Sequence, residues 1–89
     1  MVRLFVRHNV AEYAAWRKVY DAFDPQRRPM GVTAGAVYQA LDNPNDVTVW
    51  HDFPTREQAE AFMTSEALRN AIQEAGVQGS PTIWITREA

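Results

Sequence analysis

The feature that most constrains this fold is a switch in hydrophobic period close to the start of the chain. Residues 2–8 place valine, leucine, valine and histidine at every second position, which predicts a strand with one apolar face. Over residues 10–23 the apolar residues instead recur every three or four positions, which predicts a helix. Asn9, with Glu12 three residues later, is predicted to be the N-cap of that helix. The chain therefore begins as a strand followed directly by an amphipathic helix.

The middle of the chain predicts a short helical turn and then a β-hairpin. Asp24-Pro25 has the pattern of a cap with proline at the first helical position, and Gly31 is expected to end this turn. Residues 32–41 and 47–53 are rich in β-favouring types and are separated by the turn-forming residues 42–46. Two antiparallel strands are therefore expected here.

The last third of the chain predicts a broken helix and a final strand. Thr55 and Ser65 each stand at the start of a short apolar stripe, so they are predicted to cap the two halves of the helix. Gly76 suits a left-handed helix terminus, and a loop containing a glycine and a proline is expected before a strand over residues 82–86.

The element order β-α-β-β-α-β predicts one domain over residues 1–89, of the α+β class. It matches the ferredoxin-like fold, with a four-stranded antiparallel sheet whose two helices cover one face. The first and third strands are expected at the centre, where we predict that they run parallel. Phe5, Trp50 and Trp84 would then lie on the uncovered face. A chain of this size leaves much apolar surface near solvent, so we predict a homodimer through this sheet face.

Composition excludes several classes of function. The absence of cysteine rules out disulfides, thiolate nucleophiles and cysteine-ligated metal centres. The net charge is −2 and the basic residues are dispersed, so neither nucleic acid nor a membrane is expected as a partner. No targeting segment is recognisable, and a cytoplasmic location is the default expectation. The pair Arg27-Arg28 is interpreted as a solvated turn, with binding of an anionic ligand as the alternative.

The two histidines are the best candidates for a site. His8 and His51 both fall on the apolar side of their strands, and parallel neighbouring strands would bring their imidazoles together at the edge of the core. A pair of imidazoles with pKa values near 6.5 would bind an acidic group or move a proton near neutral pH. The alternative is that both are strand-end residues satisfied by backbone or water. Two histidines alone do not make a metal site, and none is predicted.

Aromatic side chains are candidates for lining a ligand pocket. Tyr13, Trp16 and Tyr20 form one stripe on the first helix, which is typical of core packing but would also suit an aromatic pocket. Tyr38 and Trp50 are further candidates for substrate binding, although Trp50 is favoured for the dimer interface. The amide of Asn9 is a third candidate for catalysis, with helix capping as its alternative role.

The chain resembles the dimeric α+β barrel superfamily, and within it the small antibiotic-biosynthesis-monooxygenase-like domains. The resemblance covers nearly all of the chain. It is carried by residues 6–17 (VRHNVAEYAAWR), by the turn 42–47 (DNPNDV), and by the stretches 57–59, 61–63, 65–69 and 75–77.

The resemblance implies a dimeric barrel and a small-molecule activity. Related enzymes are cofactor-independent oxygenases of polycyclic aromatic substrates, haem-degrading oxygenases, or cyclases and decarboxylases. Asn9 and Trp50 match two positions used by the haem-degrading members, but no histidine occurs between Pro54 and Gly76, where those members have one. We therefore expect no cofactor and predict an oxygenase of an aromatic or polyketide-like substrate. The alternative is a non-catalytic dimeric module that binds a hydrophobic metabolite.

Overall fold

One four-stranded sheet, covered on one face by helices, accounts for most of the chain. The computed structural model describes all 89 residues. The strands are β1 (Val2–Val10), β2 (Ala34–Ala40), β3 (Asn43–Phe53) and β4 (Val77–Thr86), and the helices are α1 (Tyr13–Ala22), α2 (Asp24–Arg27), α3 (Arg56–Met63) and α4 (Glu66–Glu74). The strand order is β2-β3-β1-β4, with every neighbouring pair antiparallel. This confirms the predicted α+β, ferredoxin-like βαββαβ fold. No helix has the length and apolar character needed to cross a membrane.

The direction of the two central strands differs from our prediction. β1 and β3 are neighbours as expected, but they run antiparallel, with Leu4 opposite His51 and His8 opposite Val47. The reason is that the hairpin reverses β3 relative to β2, while the crossover through α1 makes β2 parallel to β1. The carboxyl ends of the two central strands, β1 and β3, therefore lie at opposite ends of the sheet, measured along the strand direction.

The first helix begins later than predicted, and its cap comes from elsewhere in the chain. Asn9 is not an N-cap, because β1 continues to Val10, which is buried and pairs with β4. The N-cap residue is Glu12, whose side chain makes no capping hydrogen bond. Instead the backbone N–H of Tyr13 donates to Oδ1 of Asn45 on β3, at 2.9 Å. An amide from the hairpin thus satisfies the first turn of α1.

The third and fourth strands were predicted too short, whereas the second was predicted slightly too long. The hairpin exists, but its turn is only residues 41–42, and β3 starts at Asn43 with a bulge before its regular pairing resumes at Val47. Residues 77–81 are not a loop, since they belong to β4. Gly79 and Pro81 lie within a bulge there, because Thr82 pairs with Arg7 whereas Gln78 pairs with Asn9. Proline and a left-handed glycine are compatible with a strand at such a bulge.

The helix ends follow their predicted chemistry. The hydroxyls of Thr55 and Ser65 each accept a hydrogen bond from the backbone N–H three residues later, so the second helical segment is broken where the sequence indicates. Gly31, which ends the turn after α2, has φ +103°, and Gly76, which follows α4, has φ +76°. Glycine adopts this left-handed conformation without strain.

The core lies between the sheet and the helices and consists of two groups of side chains. One group packs the sheet against α3 and comprises Leu4, Phe23, Val32, Phe53, Ala59 and Phe62. The other packs the sheet against α1 and comprises Val10, Trp16, Val47, Val49 and Ala75. These positions agree with the apolar faces read from the alternation of β1 and β3.

The opposite face of the sheet has no helical cover and carries an aromatic row. The rings of Phe5 and Trp84 stack with centroids 5.1 Å apart, and the guanidinium of Arg3 lies 3.6 Å from the ring centroid of Trp50. Arg3 also pairs with Asp52 at 2.7 Å. The predicted placement of these aromatic residues is confirmed.

The amide on β3 that caps α1 gives a direct test of this description. Asn45→Ala should lower the free energy of unfolding by about 1 kcal/mol, because it leaves the N–H of Tyr13 without its partner. Asn9→Ala is the matched control: Asn9 is exposed, so its truncation should change stability by less than about 0.5 kcal/mol. Urea denaturation measures both. The reverse order of effects would contradict the cap.

Candidate functional site

A cavity between the sheet and the helices is the candidate site. It has a volume of about 100 Å³, is partly open to solvent, and is lined by 17 residues, of which 14 are hydrophobic. Its walls come from β1, β3, β4 and the helices α1, α2, α3 and α4. Three residues bring nitrogen into this apolar surface as imidazole or guanidinium: His8, His51 and Arg27. They decide what the cavity can do chemically.

His8 lies at one end of the cavity and has no hydrogen-bond partner. Only 8% of the residue is exposed, and neither Nδ1 nor Nε2 makes a hydrogen bond. The imidazole meets the ring of Trp16 edge to face, with centroids 5.7 Å apart. Its backbone lies opposite the bulge of β4, where the pairing of β1 is interrupted. Burial lowers the pKa of His8, so the ring is neutral at pH 7.

His51 lies at the other end and has one partner. Its Nε2 is 3.2 Å from the hydroxyl of Tyr20, whereas its Nδ1 is buried without a partner. Burial, and then the charge of Arg27, lower the pKa of His51 to about 4. A neutral imidazole that accepts the Tyr20 proton at Nε2 carries its own proton on Nδ1, which is then a free donor. Burial also raises the pKa of Tyr20, which keeps the phenol protonated.

The two histidines share the cavity but do not meet. In the antiparallel register His51 lies opposite Leu4. Leu4 is four residues from His8 along β1, so the Cα atoms of the two positions are about 13 Å apart along the strand. The prediction that parallel strands bring the imidazoles together was therefore wrong. The prediction that both face the core under the helices was correct, and the cavity touches each of them.

An aromatic ladder on α1 connects the two ends. The ring of Trp16 stacks on that of Tyr20 with centroids 5.0 Å apart, and Tyr20 stacks on His51 at 6.1 Å. Both α1 residues line the cavity, as the pocket alternative for the helix stripe requires. Their stacked rings fill the space between the two imidazoles on the α1 side.

Arg27 is the residue that sequence reasoning missed. It was interpreted as part of a solvated turn, but it is only 5% exposed. Its guanidinium lies 3.7 Å from the ring centroid of Tyr20 and donates to the backbone carbonyl of the same residue. The four-residue helix α2 turns the side chain inward, and no periodic pattern marks a helix so short. Only the neighbouring Arg28 is exposed.

The position of the His51 ring depends on a glycine in the neighbouring strand. Gly35 pairs with His51 across the sheet. A Cβ atom on Gly35 would lie 2.9 Å from Cδ2 of His51 and 3.0 Å from the carbonyl oxygen of Trp50. Any larger residue would displace the imidazole, so this glycine is explained by packing against the site.

Four of the predicted site residues lie outside the cavity. Asn9 and Tyr38 are exposed, and the alternation of the strands puts both on the uncovered face of the sheet together with Trp50. Tyr13 packs beside Trp16 and accepts a hydrogen bond from Arg17 at its hydroxyl. As candidates for catalysis or substrate binding, these four residues therefore do not share the cavity with the histidines. The packing of Tyr13 and the place of Trp50 on the uncovered face agree with the roles that were favoured for them. No three histidine or carboxylate side chains are placed to hold a metal ion together.

The low pKa of His51 predicts a specific dependence of stability on pH. The unfolded chain takes up this proton near its ordinary pKa of 6.5 and the folded protein only near 4. The stabilisation is therefore complete above pH 6.5 and is lost as the pH falls toward 4. Between about pH 7 and about pH 4 the native protein should lose about 3 kcal/mol more unfolding free energy than His51→Gln. Equal losses in urea titrations would contradict a buried neutral His51.

Comparisons with known proteins identify the fold. No protein-family model matches the sequence, and no curated protein matches it. An antibiotic biosynthesis monooxygenase of known structure has a TM-score of 0.79 at 12% identity, covering 100% of this chain and 99% of its own. SnoaB, a cofactor-independent oxygenase from Streptomyces nogalater, has 0.82 at 9% identity, covering 99% and 92%. A protein of unknown function from Nitrosomonas europaea has 0.74 at 20% identity, covering 96% and 85%. The chain therefore has the fold of the antibiotic biosynthesis monooxygenases.

Proposed function

We propose that this protein is a small-molecule oxygenase that works without a cofactor on a hydroxylated aromatic substrate. The observation that carries the proposal is that two buried, neutral imidazoles have unpartnered nitrogens at the two ends of one apolar cavity. Buried polar atoms normally have hydrogen-bond partners, so an orphaned nitrogen in a cavity wall is a position where a bound ligand or a water would supply the missing hydrogen bond. The likeness in fold to a cofactor-independent oxygenase supports the same reaction class.

The cavity favours a largely apolar, aromatic ligand. Its surface is hydrophobic apart from the nitrogen-bearing side chains, and the aromatic side chains of Trp16, Tyr20 and Phe62 line it. A volume of about 100 Å³ is less than the roughly 150 Å³ of an apolar cavity that holds benzene. No more than one ring would therefore enter, and the rest of a larger ligand would extend through the open side.

His8 is the proton acceptor in this proposal. Its nitrogens are free of protein partners, and no cation that would oppose its protonation lies beside it. His51 is less suited to this role, since Arg27 disfavours its positive charge. The free Nδ1–H of His51 would instead donate to an oxygen of the substrate. One imidazole would thus remove a proton, and the other would stabilise the oxygen that becomes negative.

Deprotonation is the step by which such a site would activate a substrate toward dioxygen. A phenol whose ring system contains an oxidisable CH₂ group loses a proton and becomes electron-rich enough to transfer one electron to O₂. The two radicals combine into a peroxide, which loses water and leaves a carbonyl. One oxygen atom enters the product, the other leaves as water, and no external reductant is consumed. An apolar cavity would shield the radical pair from bulk water.

Oxygen uptake with hydroxylated anthrones, whose central ring contains such a CH₂ group, tests this activity. His8→Ala combined with His51→Ala should lower turnover at least about 100-fold, because the proton acceptor and the oxyanion donor are both removed. Asn9→Ala, which changes an exposed polar residue on the other face, should keep native turnover. Circular dichroism would establish that each variant is folded. Unchanged turnover in the double variant would rule out this mechanism.

A non-catalytic binding module is the second candidate. The observation in its favour is that burial lowers the pKa of both histidines, which makes each a weaker base. The same cavity would then bind a hydrophobic metabolite, and the imidazoles would only satisfy its polar end. Saturable binding of the aromatic compounds without oxygen uptake, lost in the same double variant, would support this function over the oxygenase.

We further propose that the protein is a homodimer joined through the uncovered sheet face, which would complete a dimeric α+β barrel. The face carries the aromatic row of Phe5, Trp50 and Trp84, and Trp84 is 41% exposed. The charges beside this row are already paired within the chain, Arg3 with Asp52 and Arg7 with Asp46. A second copy could therefore cover the row without burying an unpaired charge.

Light scattering at micromolar concentration tests this association. The native protein should have twice the chain mass of 10.1 kDa, and Trp84→Glu should be a monomer because it places a charge in the aromatic row. Gln73→Glu is the control, since it adds the same charge to an exposed position of α4. A native monomer at this concentration would refute the dimer.

A further inference from the structure

A second, polar pocket lies next to the apolar cavity, and the proposed oxygenase reaction does not use it. It has a volume of about 200 Å³, and only three of its nine lining residues are hydrophobic. Three residues line both spaces, namely Tyr20, Arg27 and His51. The polar pocket therefore begins where the aromatic ladder ends, at the edge of the sheet that carries β2.

The wall of this pocket contains a buried cation with an incomplete set of partners. One N–H of Arg27 donates to Asp24 at 3.3 Å and another to the carbonyl of Tyr20. Guanidinium has five N–H donors, so three of them donate to no protein atom. The side chain of Arg27 is only 6% exposed, whereas that of Asp24 is 69% exposed. A peripheral carboxylate at that distance compensates a buried charge poorly.

The other lining residues of this pocket leave space for an anion and add a second positive charge. Arg28 lines it beside Arg27, and the only acidic lining residue is Asp24, which is solvated. Gly35 contributes no side chain, and the Thr33 hydroxyl donates to the backbone carbonyl of Asp52 rather than filling the space. The net charge of the three ionised lining residues is therefore +1, from two arginines and one aspartate.

We propose that this pocket is a carboxylate-binding site in which Arg27 is the principal ligand. A carboxylate would accept hydrogen bonds from the free N–H groups of the guanidinium, in the paired geometry that this group favours. Arg28 would add long-range attraction. The carboxylate has two possible sources, a free small acid or an acidic arm of a molecule whose apolar part occupies the cavity. The proposal does not depend on the oxygenase reaction, because binding alone tests it.

Binding of a carboxylate at Arg27 would change the pKa of His51, because the charge of Arg27 acts on that imidazole. The positive charge of Arg27 opposes protonation of His51, and a bound anion would offset that charge, so the pKa of His51 should rise from about 4. The other groups that act on His51 stay constant: Asp52 favours its protonation, and the Tyr20 hydroxyl stays at its Nε2. His8 does not line this pocket and lies about four residues away from His51 along the strands.

NMR of the two imidazoles measures this effect in the full chain. Acetate would replace chloride at constant ionic strength while the pH titration of each histidine is followed, and each acetate ion concentration would be corrected for the acetic acid formed in the same pH range. We expect saturable shifts of the His51 resonances and a higher His51 pKa, with His8 unchanged as the internal control. Because the chain has only these two histidines, both signals can be assigned from single His→Gln variants.

Three variants test whether acetate acts on His51 through binding at Arg27. Arg27→Met should weaken acetate binding about tenfold or more, since it removes the charged donors. Arg69→Met removes the same charge from an exposed site on α4 and should bind acetate as the native protein does. Asp24→Asn should bind acetate about threefold more tightly, because it removes the competing carboxylate at an exposed position. This last variant keeps the proposal testable if Arg27→Met fails to fold.

Two further probes distinguish the sources of the carboxylate. If a cavity ligand carries it, 2-naphthoate should act at lower concentration than acetate and shift His8 as well, while neutral 2-naphthol should shift His8 without raising the His51 pKa. If the anion is free, acetate and naphthoate should act equally on His51. Equal response of both histidines to acetate, no response of His51, or an Asp24→Asn variant that binds no tighter would each overturn the proposal.

Discussion

The antiparallel pairing of β1 with β3 is the constraint on which the rest of the structure depends. Its register places His51 opposite Leu4 and His8 opposite Val47, so the two imidazoles share one face but mark opposite ends of it. A slip of β3 by one residue would move His51 to the uncovered face and leave His8 on the covered one. The cavity is therefore a consequence of strand register, because the same pairing that buries the core sets the distance between its two polar ends.

The alternation of the strands separates two kinds of polar chemistry. On the uncovered face, Arg3 and Arg7 are ionised and lie against Asp52 and Asp46, in pairs that hold the pKa of each carboxyl below its usual range. On the covered face the imidazoles are neutral because burial opposes their charge. One face is thus compatible with association through satisfied charges, and the other with proton transfer in an apolar space.

The sequence predicted what depends on local period and failed where distant segments meet. Two-residue alternation identified the faces of His8, His51 and Trp50 correctly, because parity within a strand needs no tertiary information. The predicted direction of β3 relative to β1 was wrong, because this direction follows from the path of the whole chain. The predicted cap of α1 was wrong for the same reason, since the residue that caps it, Asn45, is 32 positions away from Tyr13. The burial of Arg27 was not predicted, because a single helical turn is too short for a hydrophobic period to show which side is buried.

The buried charge of Arg27 acts on both Tyr20 and His51. Its guanidinium covers the ring of Tyr20, whose hydroxyl meets His51, and its charge helps to keep that imidazole neutral. Two positive charges this close in an apolar setting would repel strongly, so the proton affinity of His51 depends on what neutralises Arg27. The exposed carboxylate of Asp24 does this only weakly. Any anion that replaced it at the guanidinium would change the proton affinity on the cavity side, and this couples the polar pocket to the apolar one.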